Sequence, residues 1–195
     1  RRAVVAMCAD NGVVAEGVSQ SGQEVTAIVA ENMGKGTSSV CRMAKVAGAR
    51  VVPVDIGMAT EVQAPALLQR SVRRGTGNLA VEPAMTEEEC RQAILTGVDV
   101  ARELHAQGYD ILATGEMGIG NTTTSAALVS VLLGLDPAEV TGRGAGLSSA
   151  GLSRKVEAIR RGIAVNQPDP SDPLDCLRKV GGLDIAGLVG VFLGG

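Results

Sequence analysis

The stretch Gly115-Glu116-Met117-Gly118-Ile119-Gly120-Asn121-Thr122-Thr123-Thr124 places three glycines ahead of a segment that reads as the opening of a helix. Glycines let a backbone curl until successive N–H groups converge, and a helix N-terminus adds its positive end, so the pattern predicts a cradle for phosphate. The order GxxGxG is neither the Rossmann fingerprint nor a P-loop, because no Lys follows the last glycine. A tight strand-to-helix turn with no ligand is the alternative reading. Glu116 bears on the choice: a carboxylate beside an anion repels it unless it is aimed at a sugar hydroxyl or a developing positive charge.

A second glycine cluster, Thr141 to Ser149 (TGRGAGLSS), precedes a helix with Arg154 and Lys155 in its first turns. Cations there oppose the helix dipole. Either the pair is solvated and tolerated, or Lys155 reaches an anion held between the two glycine loops. Asp10, in Ala9-Asp10-Asn11-Gly12, follows the first strand signal and could hold a sugar hydroxyl or orient a base, or could make an Asx turn. Arg73 to Asn78 (RRGTGN) reads as a turn. No Ser-His-Asp set, carboxylate pair or metal-binding constellation is visible, and no metal is expected. The single His105 reads as a surface or capping residue near a helix end.

The elements that must position these loops alternate. Ala3 to Cys8 is an apolar run without alternation, as suits a strand covered on both faces. Ser21 and Glu24 form a capping box opening a helix to about Met33, and a second helix ends at Gly48. Arg50 to Ile56 is a strand signal interrupted by Pro53, and Tyr109 to Thr114 is another. Thr86 and Glu89 cap a helix to about Gln107. Further helices are expected over about Asn121 to Leu133 and about Ala150 to Val165, then a short one capped by Ser171 or Asp172 and closed by Gly181-Gly182. Asp184 is expected to cap the final apolar run, Ile185 to Gly195. This alternation predicts a single α/β domain, a three-layer Rossmann-like fold with a mainly parallel sheet. The chain opens almost inside its first strand and stops without a polar tail, so it is expected to be cut at both ends.

Composition removes several function classes. Tyr109 and Phe192 are the only aromatic residues, so no stacking platform for single-stranded nucleic acid can be built. Eighteen basic against 21 acidic residues give net charge −3 without a basic block, which argues against a nucleic-acid partner. Cys8, Cys41, Cys90 and Cys176 are widely spaced and read as buried thiols of a reducing compartment, hence a cytoplasmic protein. The longest uncharged run, Met117 to Leu135, carries Asn121, three Thr, two Ser and three Gly, and is no membrane span.

Six segments taken together, MCADNGVVAEGV, QEVTAIVAENM, GTSSVCRMAKVAGARVVPVDIGM, GTGNLA, GEMGIGNTTTSAALVSVLLG and NQPDPSDPLDCLRKVGGLDIAGLVGVFLGG, resemble the nicotinate-nucleotide:dimethylbenzimidazole phosphoribosyltransferase family over essentially all 195 residues. The resemblance implies transfer of phosphoribose from nicotinate mononucleotide to 5,6-dimethylbenzimidazole, without a cofactor, by a homodimer with a smaller helical part formed from the chain ends. It assigns phosphate binding to Gly118, Ile119, Gly120, Asn121, Thr122 and Lys155, places Glu116 near the ribose, and turns Ser21 toward the benzimidazole. Asp10, Val29 and Gly144 complete the expected ribose and base pocket, Val29 standing where some members have Gln. The family's general-base Glu falls C-terminal to Gly195, so the chain is expected to be the central body of a longer architecture. A non-catalytic nucleotide- or phosphate-binding module is the alternative.

Overall fold

The opening apolar run forms strand β1 (Arg2–Ala9), and its side chains divide by parity. Ala3, Val5, Met7 and Ala9 enter one buried cluster, while Ala6 and Cys8 enter another. Successive side chains of a strand point to opposite faces, so a strand with a core on both faces has no polar alternation. The computed structural model describes residues 1–195. Beside β1 lie β2 (Ala49–Gly57), β3 (Leu68–Gln69) and β4 (Ile111–Met117), all parallel, in the order β3-β2-β1-β4.

The helices are α1 (Glu24–Gly34), α2 (Ser39–Val46), α3 (Glu87–Ala106), α4 (Asn121–Leu133), α5 (Pro137–Val140), α6 (Ser149–Asn166), α7 (Pro173–Val180) and α8 (Leu183–Gly194). Ala30 and Met33 of α1 and Ala44 of α2 pack on the Ala6–Cys8 face. The larger core joins the other face to α3, α4, α6, α7 and α8 through residues such as Val100, Ala127, Ile159, Leu177 and Ala186. The expected three-layer α/β fold with a parallel sheet is what forms. No helix is long and apolar enough to cross a membrane.

The crossing of α3 and α8 is unusually close. A Cβ on Gly190 would run into the Ile94 carbonyl and come 2.8 Å from Gly97 Cα, and one on Gly187 would meet Ile56 Cδ1 at 2.6 Å. Glycine here removes the side chains that normally space helices 8–10 Å apart. The final helix is thereby pressed onto the sheet.

Four expectations need correction. Ser21 caps nothing: the residue before α1 is Gln23, in helical conformation and without a side-chain cap. Ser21 instead donates its N–H to Ser19 Oγ at 3.2 Å. Asp184 is not the N-cap of the last helix either; Gly182 occupies that place, and Asp184 lies inside α8 with no exposed surface. Strand β4 starts after Tyr109 and continues through Glu116 to Met117, because β1 offers pairing partners as far as Cys8. Cys41 is half-buried rather than buried, although all four thiols are free. Pro53 is accommodated within β2 because β3 reaches only Val54 and Asp55, leaving the outer edge at Pro53 without a strand partner. The Thr86–Glu89 capping box forms as read, and Asp172 caps α7 with Pro173 in its first turn.

Candidate functional site

In a parallel sheet, ligands sit beyond the carboxyl ends of the strands, where connections leave in opposite directions. Here β1 is followed by β2 on one side and bordered by β4 on the other, so the crevice lies over the ends of β1 and β4. Gly118-Ile119-Gly120 makes the turn from β4 into α4. Gly118 is packed where a Cβ would clash with the Ala9 carbonyl and stand 3.1 Å from Asn11 Nδ2. Gly120 has φ of 94°, and its missing Cβ would press on Val14 and Asn11 at 3.0 and 3.1 Å.

The turn exposes fewer N–H groups than the sequence alone suggests. Gly118 and Gly120 N–H have no acceptor within the chain. Ile119 N–H donates to Thr26 Oγ1 at 3.1 Å, and Thr122 N–H to Asn121 Oδ1 at 2.6 Å. Asn121 also donates through Nδ2 to Glu116 Oε2. Glu116 thus stands at the carboxyl end of the edge strand, exposed on one side. Desolvation by burial raises its pKa from the ordinary carboxylate value, against the opposing Asn121 amide.

Lys155 supplies the cation. It is 1% exposed, and its Nζ donates to Thr122 Oγ1 at 2.7 Å and to the Gly142 carbonyl at 3.1 Å. The solvated-pair reading therefore fails for Lys155, while its neighbour Arg154 is exposed. Burial lowers the Lys155 pKa, and no carboxylate pairs with it. A buried ammonium satisfied by neutral oxygens alone keeps a charge that no carboxylate balances. Gly144, at φ of 55°, covers this group: a Cβ would sit 2.9 Å from Thr122 Oγ1 and 3.5 Å from Lys155 Nζ.

The two glycine loops and residues Val18 to Gln20 enclose a cavity of about 250 Å³. Gln20 Nε2 donates to the Gly146 carbonyl at 2.7 Å and bridges the walls. Gly118 to Thr122 and Gly144 line this cavity, and Lys155 lies beneath its Thr122 edge. Ser21 adjoins the wall without lining it. Val29 packs with Met117 against the α1–α2 core. Asp10 is wholly buried; its Oδ2 accepts from Ala59 N–H at 2.8 Å, and its carbonyl from Thr76 N–H at 3.0 Å. It makes no local Asx turn. The Arg73–Asn78 loop serves the same junction, Thr76 Oγ1 accepting from Gly12 N–H at 3.0 Å and Arg74 pairing with Asp55.

A larger hollow of about 470 Å³ lies between α3, α7 and the end of α8. Its arginines, Arg91 and Arg178, are already paired with Glu88 and Asp175, so it offers no free cation.

Two residues beside the cavity carried no functional signal in the sequence. Arg143 lines the wall and donates to the Leu147 carbonyl at 2.8 Å. Asn11, wholly buried, donates through Nδ2 to the Ile119 carbonyl at 3.4 Å, beneath the turn. Its place between an Asp and a Gly signalled only a turn.

A parallel α/β sheet carries a glycine turn, a helix N-terminus and a buried lysine at the edge of one cavity, the architecture of an α/β enzyme domain. Over residues 1–195 the chain matches the model of a family described as phosphoribosyltransferase, and it belongs to that family. It is 48% identical over 191 residues to nicotinate-nucleotide–dimethylbenzimidazole phosphoribosyltransferase of Ruminiclostridium cellulolyticum, covering 98% of this chain and 54% of that protein. It is 47% identical over 194 residues to the Escherichia coli protein of the same name, covering 100% and 54%. The crystal structure of CobT from Thermus thermophilus superposes with a TM-score of 0.94 at 45% identity, covering 100% of this chain and 59% of that one. The chain thus spans little more than half the length of the relatives it matches.

Proposed function

We propose that the protein transfers the 5-phosphoribosyl group of nicotinate mononucleotide to 5,6-dimethylbenzimidazole, releasing nicotinate and giving α-ribazole 5′-phosphate. The observation that carries this reading is the unpaired Lys155 ammonium beside Thr122, at the edge of the Gly118–Gly120 turn. The 5′-phosphate enters there, on the Gly118 and Gly120 N–H groups and the start of α4. Asn121 and Thr122 shape the same edge, Ile119 fixes the turn through Thr26, and Gly144 roofs it.

With the phosphate held, the ribose extends toward Glu116. As the bond from C1′ to the nicotinate nitrogen lengthens, positive charge grows on the sugar, and a nearby carboxylate stabilises it. The benzimidazole nitrogen attacks C1′ from the opposite face, which inverts the β-nucleotide to an α-riboside. Its N–H proton leaves to a general base that the family resemblance places beyond Gly195. Ser21 and Val29, both on the α1 side, are assigned to the aromatic base, and Asp10 shapes the pocket from below.

The 195 residues are read as one α/β domain, the central part of the longer family architecture. The protein is placed in the cytoplasm as a homodimer; the free thiols fit a reducing compartment, and exposed Leu132, Leu133 and Val165 fit a subunit contact. The test is a product assay with both substrates on the full-length gene product. α-Ribazole 5′-phosphate formation is the expected result. Nucleotide binding without product would favour a non-catalytic phosphate-binding module.

A further inference from the structure

Asp184 is a wholly buried carboxyl group that the reaction above does not use. It has no exposed surface, its Oδ1 accepts its neighbour Ile185 N–H at 2.9 Å, and its Oδ2 has no partner. Beside it is a second orphan, the buried Asn11 Oδ1. The two side chains adjoin at two glycines. A Cβ on Gly182 would clash with Asp184 Oδ1 and lie 2.7 Å from Asn11 Oδ1, and one on Gly118 would lie 3.1 Å from both Asn11 Nδ2 and Asp184 Oδ2. Asn11 cannot relieve this by turning its amide over, because Nδ2 already donates to the Ile119 carbonyl and an oxygen there would repel it. On the Gly118 side Asn11 Nδ2 stands beside Asp184 Oδ2, whereas on the Gly182 side the two Oδ1 atoms face each other, and a proton on Asp184 supplies the donor that Asn11 Oδ1 lacks.

We infer that Asp184 is a positioning residue for the phosphate-binding turn, holding a proton that it donates to Asn11 Oδ1 while Asn11 Nδ2 donates to the Ile119 carbonyl. The inference rests on the reading of the turn as a phosphate site. The hydrogen-bonded relay joins α8 to the Gly118–Gly120 turn and keeps a second negative charge from the floor of an anion site. Ionisation of Asp184 breaks the relay and places that charge under the phosphate.

The surroundings agree. Burial, and then the nearby Glu116, push the Asp184 pKa up to about 7. The buried titratable groups on the strands and on α3 packed against α8 are Cys8 of β1, Asp55 of β2 and Cys90 of α3, and Glu116 of β4 is the charge that acts on Asp184. The Cys8 and Cys90 thiols are pushed up to about 12 and about 11, so both stay neutral, and Asp55 is paired with Arg74. No cation acts on Asp184; backbone N–H groups and the Asn11 amide are the donors that oppose the rise, and burial outweighs them.

The test compares the full-length wild type, Asp184→Asn and Asp184→Ala. Sulfate, whose charge is fixed, and nicotinate mononucleotide are titrated by calorimetry at about pH 6 and about pH 8. Wild-type sulfate affinity should fall about tenfold across that interval. Asp184→Asn, whose amide donates at every pH, should hold the low-pH affinity throughout, and Asp184→Ala should bind weakly at both. Equal pH slopes in wild type and Asp184→Asn, or none in either, overturn the role of Asp184 while leaving the phosphate site standing. If wild type binds neither anion at either pH, the phosphate site itself fails and this inference falls with it. Carboxyl-carbon spectra of wild-type aspartates read the proton without any variant: one resonance titrating near pH 7 is expected, and ionisation of every aspartate by about pH 5 overturns the inference.

Discussion

Lys155 Nζ lies 2.7 Å from Thr122 Oγ1, joining the second turn of α6 to the first turn of α4 beneath the two glycine loops. Neither partner of the ammonium is charged, and the phosphate of the proposed substrate would balance it. Lys155→Met keeps the volume and discards the charge. Nicotinate mononucleotide affinity should fall about 10- to 100-fold, as for loss of a charged hydrogen bond, while the phosphate-free riboside is little affected. The unliganded protein should melt no lower than wild type, since the uncompensated charge is gone. Calorimetry with both ligands and a thermal melt check this; equal losses for the two ligands would return Lys155 to a purely structural role.

Gly144→Ala tests the roof of the site. The residue must adopt a left-handed conformation, costing about 1–2 kcal/mol, and its methyl group meets Thr122 Oγ1 at 2.9 Å. Gly146→Ala is the matched control, because φ there is 95° but no atom lies within 4 Å of the added carbon. Both variants should lose similar stability. Gly144→Ala alone should lose a further fivefold or so in nucleotide affinity, roughly the 1 kcal/mol of a small steric displacement.

Glu116→Gln preserves the shape at the end of β4 and removes the charge proposed to face the ribose. Nucleotide affinity should change little, whereas turnover of the full-length enzyme should drop about 10²-fold or more. The raised pKa also fixes a sign. In the proposed role Glu116 acts ionised, so the acidic limb of the rate profile should fall off above the pH expected of an ordinary carboxylate, and that limb should vanish in Glu116→Gln. An unchanged acidic limb in the variant would transfer the role to another group.

Gly190→Ala probes the fold rather than the site. The new methyl group would collide with the Ile94 carbonyl, a backbone atom that cannot rotate away. Destabilisation of about 2–3 kcal/mol or more is expected in denaturant melts. A change under about 0.5 kcal/mol, the range of ordinary surface substitutions, would mean that α3 and α8 cross less closely than described.

What could be read from the sequence was what short range decides. Thr86 and Glu89 cap α3 because a capping box involves only four residues, and the β1 run declared its double burial by lacking polar alternation. Ser21 and Glu24 have the same spacing but fail. The segment before α1 is tied elsewhere, through Gln20 to the Gly146 carbonyl and through Gln23 to the Asn11 carbonyl. Asp184 misled for a related reason: an Asp before an apolar run looks like a cap until Gly182, needed for the close approach of Asn11, takes that place. In the site, the glycine turn and Lys155 were legible. The spending of Ile119 N–H on Thr26, which lies 93 residues away, was not, since it depends on how α1 packs over the turn.

The sheet order also sets the sequence of events when the chain folds. Cys8 lies opposite Met117, so the turn that follows Met117 gains its floor only after β4 has closed a loop of about a hundred residues onto β1, and loops of that length close late. The proposed anion site then waits for α6 to deliver Lys155. Anions should therefore act as a latch on a nearly finished molecule rather than as a template for a growing one. In stopped-flow experiments sulfate should slow unfolding while leaving the main refolding phase nearly unchanged.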